Sequence, residues 1–231
     1  NGNNNTGEKE KIIYIEQWGT NSWTSMERAF YGCTNLVGNF TDKPDLSSVT
    51  NMSYMFAIAS SFNQDIGNWD VANVTNMLGT FGLAITFNQD ISTWNVTNVT
   101  NMTVMFAGAE KFNKNIGNWN VGSVTDMTGM FTSAIAFDQD ISKWDVSNVT
   151  NMTIMFQSAT AFDQDIGEWD VSKVTSMTNM FADVTLSTAN YDALLIGWSK
   201  KTLQENVAFN GGNSKYCSGT TALPKIITHF H

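Results

Sequence analysis

The stretch Val149–Trp169, VTNMTIMFQSATAFDQDIGEW, returns almost intact when the chain is shifted by 25 residues in either direction. Tryptophan recurs at Trp69, Trp94, Trp119, Trp144 and Trp169. Methionine recurs at Met52, Met77, Met102, Met127, Met152 and Met177, each followed four residues later by Phe56, Phe81, Phe106, Phe131, Phe156 and Phe181. A second phenylalanine falls at Phe62, Phe87, Phe112, Phe137 and Phe162. Self-similarity at a fixed period of this size marks a stacked-repeat protein.

Within one period each position has a physical task. Val74, Met77, Phe81, Phe87, Ile91 and Trp94 are large, apolar and recurrent, so they point inward and stack from coil to coil. Ala59, Ala84, Ala109, Ala134 and Ala159 fill a small-residue slot, and Cys33 takes it in the first copy as a core residue rather than a nucleophile. Met152, Met155, Phe156 and Ala159 stand at offsets 0, 3, 4 and 7, which predicts a short helix capped by Thr150 or Asn151. FDQDIGEWDV then alternates as one short strand would, with Gly or Ser at its turn position. One short strand and one short helix per period predict an α/β solenoid, a right-handed leucine-rich-repeat-like array of about six coils. Tyr54, Val104 and Ile154 alternate with Gly79, Gly129 and Asn179, which suggests growth by duplicating pairs of coils.

The ends differ from the body. Residues 1–10 read as a disordered lead, 11–36 as an N-terminal cap with a divergent first repeat (Met26, Phe30, Leu36), and 37–185 as the repeat body. Residues 186–220 read as a C-terminal cap: a helix begins at Ser187 or Thr188 and carries Tyr191, Leu194, Leu195 and Trp198. Residues 221–231 read as a tail. The chain lacks an initial Met and a signal peptide, so it reads as a mature segment or part of a longer protein. Cys33 and Cys217 belong to opposite ends of a stack, beyond disulfide reach, and so do not fix a redox compartment.

WDVSNVTNMTIMF (Trp144–Phe156) and AFDQDIGEWDV (Ala161–Val171) resemble the 25-residue repeat of BspA-like leucine-rich-repeat surface proteins, a subgroup first noted as a domain of unknown function in mycoplasma lipoproteins. RAFYGCTNL (Arg28–Leu36) is similar to the signature of the wider group, and STANYDALLIGW (Ser187–Trp198) to the cap that ends such arrays. The resemblance covers about residues 11–220 and implies display at the cell surface or secretion, with adhesion or host-protein binding in some members. It implies no catalytic residues.

The net charge of -9 disfavours nucleic acid as a partner. There is no run of about 18 apolar residues, so no membrane span is expected. No catalytic motif is present, and the only histidines, His229 and His231, lie in the tail; the chain reads as non-enzymatic. The chemically suggestive features are columns. Asp65, Asp90, Asn115, Asp140 and Asp165 form one, and Asp70, Asn95, Asn120, Asp145 and Asp170 another. The bland reading makes each side chain an acceptor for backbone N–H groups. The sharper one places Ca²⁺ between the carboxylates of Asp65, Asp90, Asp140 and Asp165, as the sole cofactor to be entertained. Thr50, Thr75, Thr100, Thr125, Thr150 and Thr175 read as an internal hydrogen-bond ladder rather than an ice-binding array. Gln64, Gln89, Lys114, Gln139 and Gln164 are the variable polar positions from which a binding face would be drawn. The sequence thus points to an extracellular or cell-surface module that binds a protein or glycan. A structural spacer, stiffened or not by Ca²⁺, is the competing reading.

Overall fold

The computed structural model describes residues 9–217. Residues 1–8 and 218–231 lie outside it, and with them most of the expected lead and the whole of the expected tail with its two histidines. Successive repeats lie on one another in parallel register. Single-residue bridges link Asn51, Asn76, Asn101, Asp126, Asn151 and Ser176 in turn, one per coil. At the N-terminal end β1 (Tyr14–Ile15) pairs in parallel with β2 (Val37–Gly38). At the other end α1 (Thr188–Ser199) closes the stack, with the Ser187 side chain accepting the Asn190 N–H as its N-cap.

The strand-plus-helix α/β solenoid expected from the spacing does not form. Among the described residues there is one α-helix, α1, a three-residue 3-10 turn at Lys9–Lys11, and the two two-residue strands; the coils between are built of turns. The coil around Val104 shows why. The N–H groups of Met102, Val104, Phe106 and Gly108 leave the coil and donate to the carbonyls of Asp126, Thr128, Met130 and Thr132 in the next one. The alternate N–H groups of Met105, Ala107 and Ala109 close three-residue turns onto Met102, Val104 and Phe106. An α-helix needs each N–H beyond its first turn for its own ladder and a negative φ throughout. Here φ is +47° at Val104 and +68° at Gly108, and the same two positions are left-handed in every coil of the body. A run of three-residue turns still places offsets 0, 3, 4 and 7 on one side, so Met152, Met155, Phe156 and Ala159 are all fully buried.

The expected strand is lost to side-chain capture. Asp65, Asp90, Asn115, Asp140 and Asp165 each accept, through Oδ1, the N–H two residues on, at 2.9 Å. Such Asx turns bend the chain where a strand would run on. A second turn follows directly, with the Trp169 N–H donating to the Ile166 carbonyl.

The core is a set of columns. The rings of Phe56, Phe81, Phe106, Phe131, Phe156 and Phe181 stack at centroid spacings of 5.4–5.8 Å, all within 10° of parallel. Phe62, Phe87, Phe112, Phe137 and Phe162 form a second column beside them. Each buried tryptophan from Trp94 to Trp169 donates its indole N–H to an isoleucine carbonyl of the preceding coil, as Trp119 does to Ile91 at 3.1 Å. Trp198 of α1 continues the column by donating to Ile166. The helix can come this close because Gly197 meets Gly167: a Cβ on Gly197 would lie 2.0 Å from the Gly167 carbonyl oxygen.

Candidate functional site

The regular polar columns are occupied in holding coils together. Thr75, Thr100, Thr125, Thr150 and Thr175 each donate both N–H and Oγ1–H to the threonine carbonyl one coil earlier. Asn63, Asn88, Asn113 and Asp138 each accept the N–H of their counterpart in the next coil. Three of the five residues expected to form a binding face join this ladder. The amides of Gln89, Gln139 and Gln164 donate to Asn63, Asn113 and Asp138 respectively, while Gln64 packs over Gly38. Lys114 holds the same place in its coil, half-buried.

The carboxylates expected to hold Ca²⁺ face their own turns. Asp65 and Asp165 cap Gly67 and Gly167, while Asp90 and Asp140 cap Ser92 and Ser142. No group of three or more His, Cys, Asp or Glu side chains converges among the described residues. The Ser92 N–H and hydroxyl hold the Asp90 carboxyl below the usual carboxylate range, and the Ser142 hydroxyl and N–H do the same for Asp140. Ser147 and Ser172 act likewise on Asp145 and Asp170, and the hydroxyls of Ser22 and Ser47 bring Asp45 down to about 2. A carboxyl whose folded pKa is depressed contributes stability above its unfolded pKa, and that stability disappears as pH falls through the folded value. The melting temperature is therefore expected to hold from neutrality to about pH 5 and to fall between about pH 4 and pH 2. Asp90→Asn with Asp140→Asn keeps the Oδ1 acceptor, as Asn115 already does, and is expected to make that acid limb shallower, with Asp45, Asp145 and Asp170 supplying the remainder; thermal melts across pH test it.

The surface departs from repetition at the two left-handed positions. One column runs Arg28, Tyr54, Gly79, Val104, Gly129, Ile154 and Asn179; the other runs Gly32, Ile58, Leu83, Gly108, Ser133, Ser158 and Asp183. Glycine, Asn and Asp tolerate positive φ, whereas bulky and β-branched side chains pay about 1–2 kcal/mol there. Tyr54, Val104 and Ile154 in the first column and Ile58 and Leu83 in the second are nonetheless bulky, with φ between +47° and +63°, and all but Ile154 gather in three successive coils. Between the columns lie Ala57, Gly82 and Ala107, small enough to leave a groove of about 370 Å³. Tyr31 closes it at the N-terminal end, and Thr132 and Ser133 mark its other end. Three of these side chains lean over the next coil: the Tyr54 ring occupies the space a Cβ on Gly79 would need, Leu83 does so at Gly108, and Val104 would lie 3.1 Å from a Cβ on Gly129. Leu83 remains 52% exposed. The Arg28 guanidinium sits 5.4 Å from the Tyr31 ring centre and 5.2 Å from that of Tyr54, and the Lys9 ammonium 4.6 Å from Tyr31. The result is an apolar trough with a cationic, aromatic mouth.

None of these groove residues was among the expected binding positions. The signal available was the alternation of Tyr54, Val104 and Ile154 with Gly79, Gly129 and Asn179, read above only as a trace of duplication.

The fold and site define a stacked-repeat protein with an apolar groove across its first coils. The chain belongs to the family described as Mycoplasma protein of unknown function, DUF285, whose model matches residues 3–110 and again residues 84–194. No curated protein and no solved structure matches it. No helix among the described residues is long and apolar enough to cross a membrane.

Proposed function

We propose that the chain is a non-catalytic binding module, displayed at a cell surface or secreted, that takes the apolar part of an extracellular partner into the groove at Tyr54, Ile58, Leu83 and Val104. The observation that carries this reading is the gathering of four bulky apolar residues on left-handed backbone around one groove; Ile154, bulky at the same kind of position, lies outside its lining. Strain of this kind is retained where a surface is used. The resemblance of the repeat to BspA-like surface proteins supports extracellular display and adhesion. The apolar lining favours a partner with an apolar part over a glycan. The competing reading, a spacer with no ligand, draws on the regularity of the remaining columns.

A single carboxylate in the groove discriminates the two. Leu83→Asp is exposed enough to leave folding intact and is expected to abolish retention on matrix proteins and host-cell membranes. Ile135→Asp, at a residue 45% exposed and outside the groove lining, is expected to leave retention unchanged. Equal retention by the wild type and both variants would remove the groove from the account, and no retention by any of the three would favour the spacer.

A further inference from the structure

The groove's own backbone narrows what can lie in it. The N–H groups of Tyr54, Ile58, Leu83 and Val104 donate to the next coil at 2.7–2.8 Å. Those of Ala57, Gly82 and Ala107, on the floor, close turns within their own coils. A peptide laid along this floor would bury its carbonyls without donors, and a buried acceptor left unmade costs about 1–3 kcal/mol. An alkyl chain has no such demand. The groove crosses five successive coils from Tyr31 to Ser133, about 20 Å at about 5 Å per coil, against about 15 Å for one leaflet of a bilayer's hydrocarbon.

The mouth supplies the complementary charge. In a chain of net charge -9, Arg28 and Lys9 both stand at the Tyr31 end of the groove over aromatic faces. The neighbouring Glu27 carboxylate is turned aside, accepting the Asn51 amide at 3.2 Å. We infer that the groove binds a single acyl chain bearing an anionic headgroup, with the carboxylate or phosphate between Lys9 and Arg28 and the tail running over Ala57, Gly82 and Ala107. This rests on the groove being the binding site proposed above and specifies its ligand as an anionic lipid.

Radiolabelled palmitate in equilibrium dialysis with the whole chain tests it. Saturable binding at one site is expected. It should weaken at least tenfold in Arg28→Asn, a substitution that suits the left-handed backbone, and at least tenfold in Leu83→Asp. Hexadecanol, with the same tail and no charge, should bind less tightly than palmitate. The inference is overturned by the lack of saturable binding, by binding that neither variant alters, or by hexadecanol binding as well as palmitate. Retention of an extracellular partner that depends on Leu83 but is not displaced by palmitate would leave the binding module standing and remove the lipid. Saturable palmitate binding with no partner retained would do the reverse.

Discussion

Phe106→Ala is expected to cost about 3–5 kcal/mol of stability. The ring is fully buried, 4.0 Å from the Phe112 ring within its coil and 5.5 and 5.7 Å from Phe81 and Phe131 in the coils on either side. The cavity cannot collapse easily. The Phe106 N–H is bonded to the Met130 carbonyl and the Phe81 N–H to that of Met105, both at 2.9 Å, so the backbone fixes the spacing that the ring fills. A stack held by nearest-neighbour contacts also loses two interfaces when a central coil is weakened. Urea unfolding measures the loss, and a drop below about 1 kcal/mol would mean that the phenylalanine columns do not carry the core.

The second large effect concerns binding. Tyr54→Asn, Ile58→Ser, Leu83→Ser and Val104→Gly together give the first half of the stack the residues its second half carries at Asn179, Ser133, Ser158 and Gly129. Relief of four strained side chains offsets the contacts they lose, so stability should change by no more than about 1–2 kcal/mol. Binding should fall by more than about a hundredfold, because a groove stripped of its anchors loses at least two contributions of about 2 kcal/mol each.

The inward set of this protein was readable from the chain because burial depends on spacing alone. The Val, Met, Phe, Ile and Trp columns are buried throughout. The backbone that joins them was not readable. Offsets 0, 3, 4 and 7 are common to an α-helix and to a run of three-residue turns, and what separates the two is where each N–H goes. Val104 and Ile154 are β-branched and give no hint of positive φ, yet both adopt it because their N–H groups bond across coils. The aspartates before Ile66, Ile91, Ile141 and Ile166 were recognisable as hydrogen-bond acceptors, but not as the residues that bend the expected strand into turns. Helix α1 was legible because Ser187 caps it and Leu194, Leu195 and Trp198 bury one face.

The groove was hidden for a related reason. Tyr54 and Ile58 are four residues apart with Ala57 between them, and only the turn geometry places them beside a trough rather than inside the core. The glutamines looked more accessible in sequence, yet three of them spend their amides on the preceding coil.

The measurement that bears most directly on this account is the affinity of the fourfold variant, side by side with the wild type, for a partner retained by the wild type. An unchanged fold with binding lost by more than about a hundredfold is expected. Full affinity in a folded variant would contradict it and return the search to the regular polar columns.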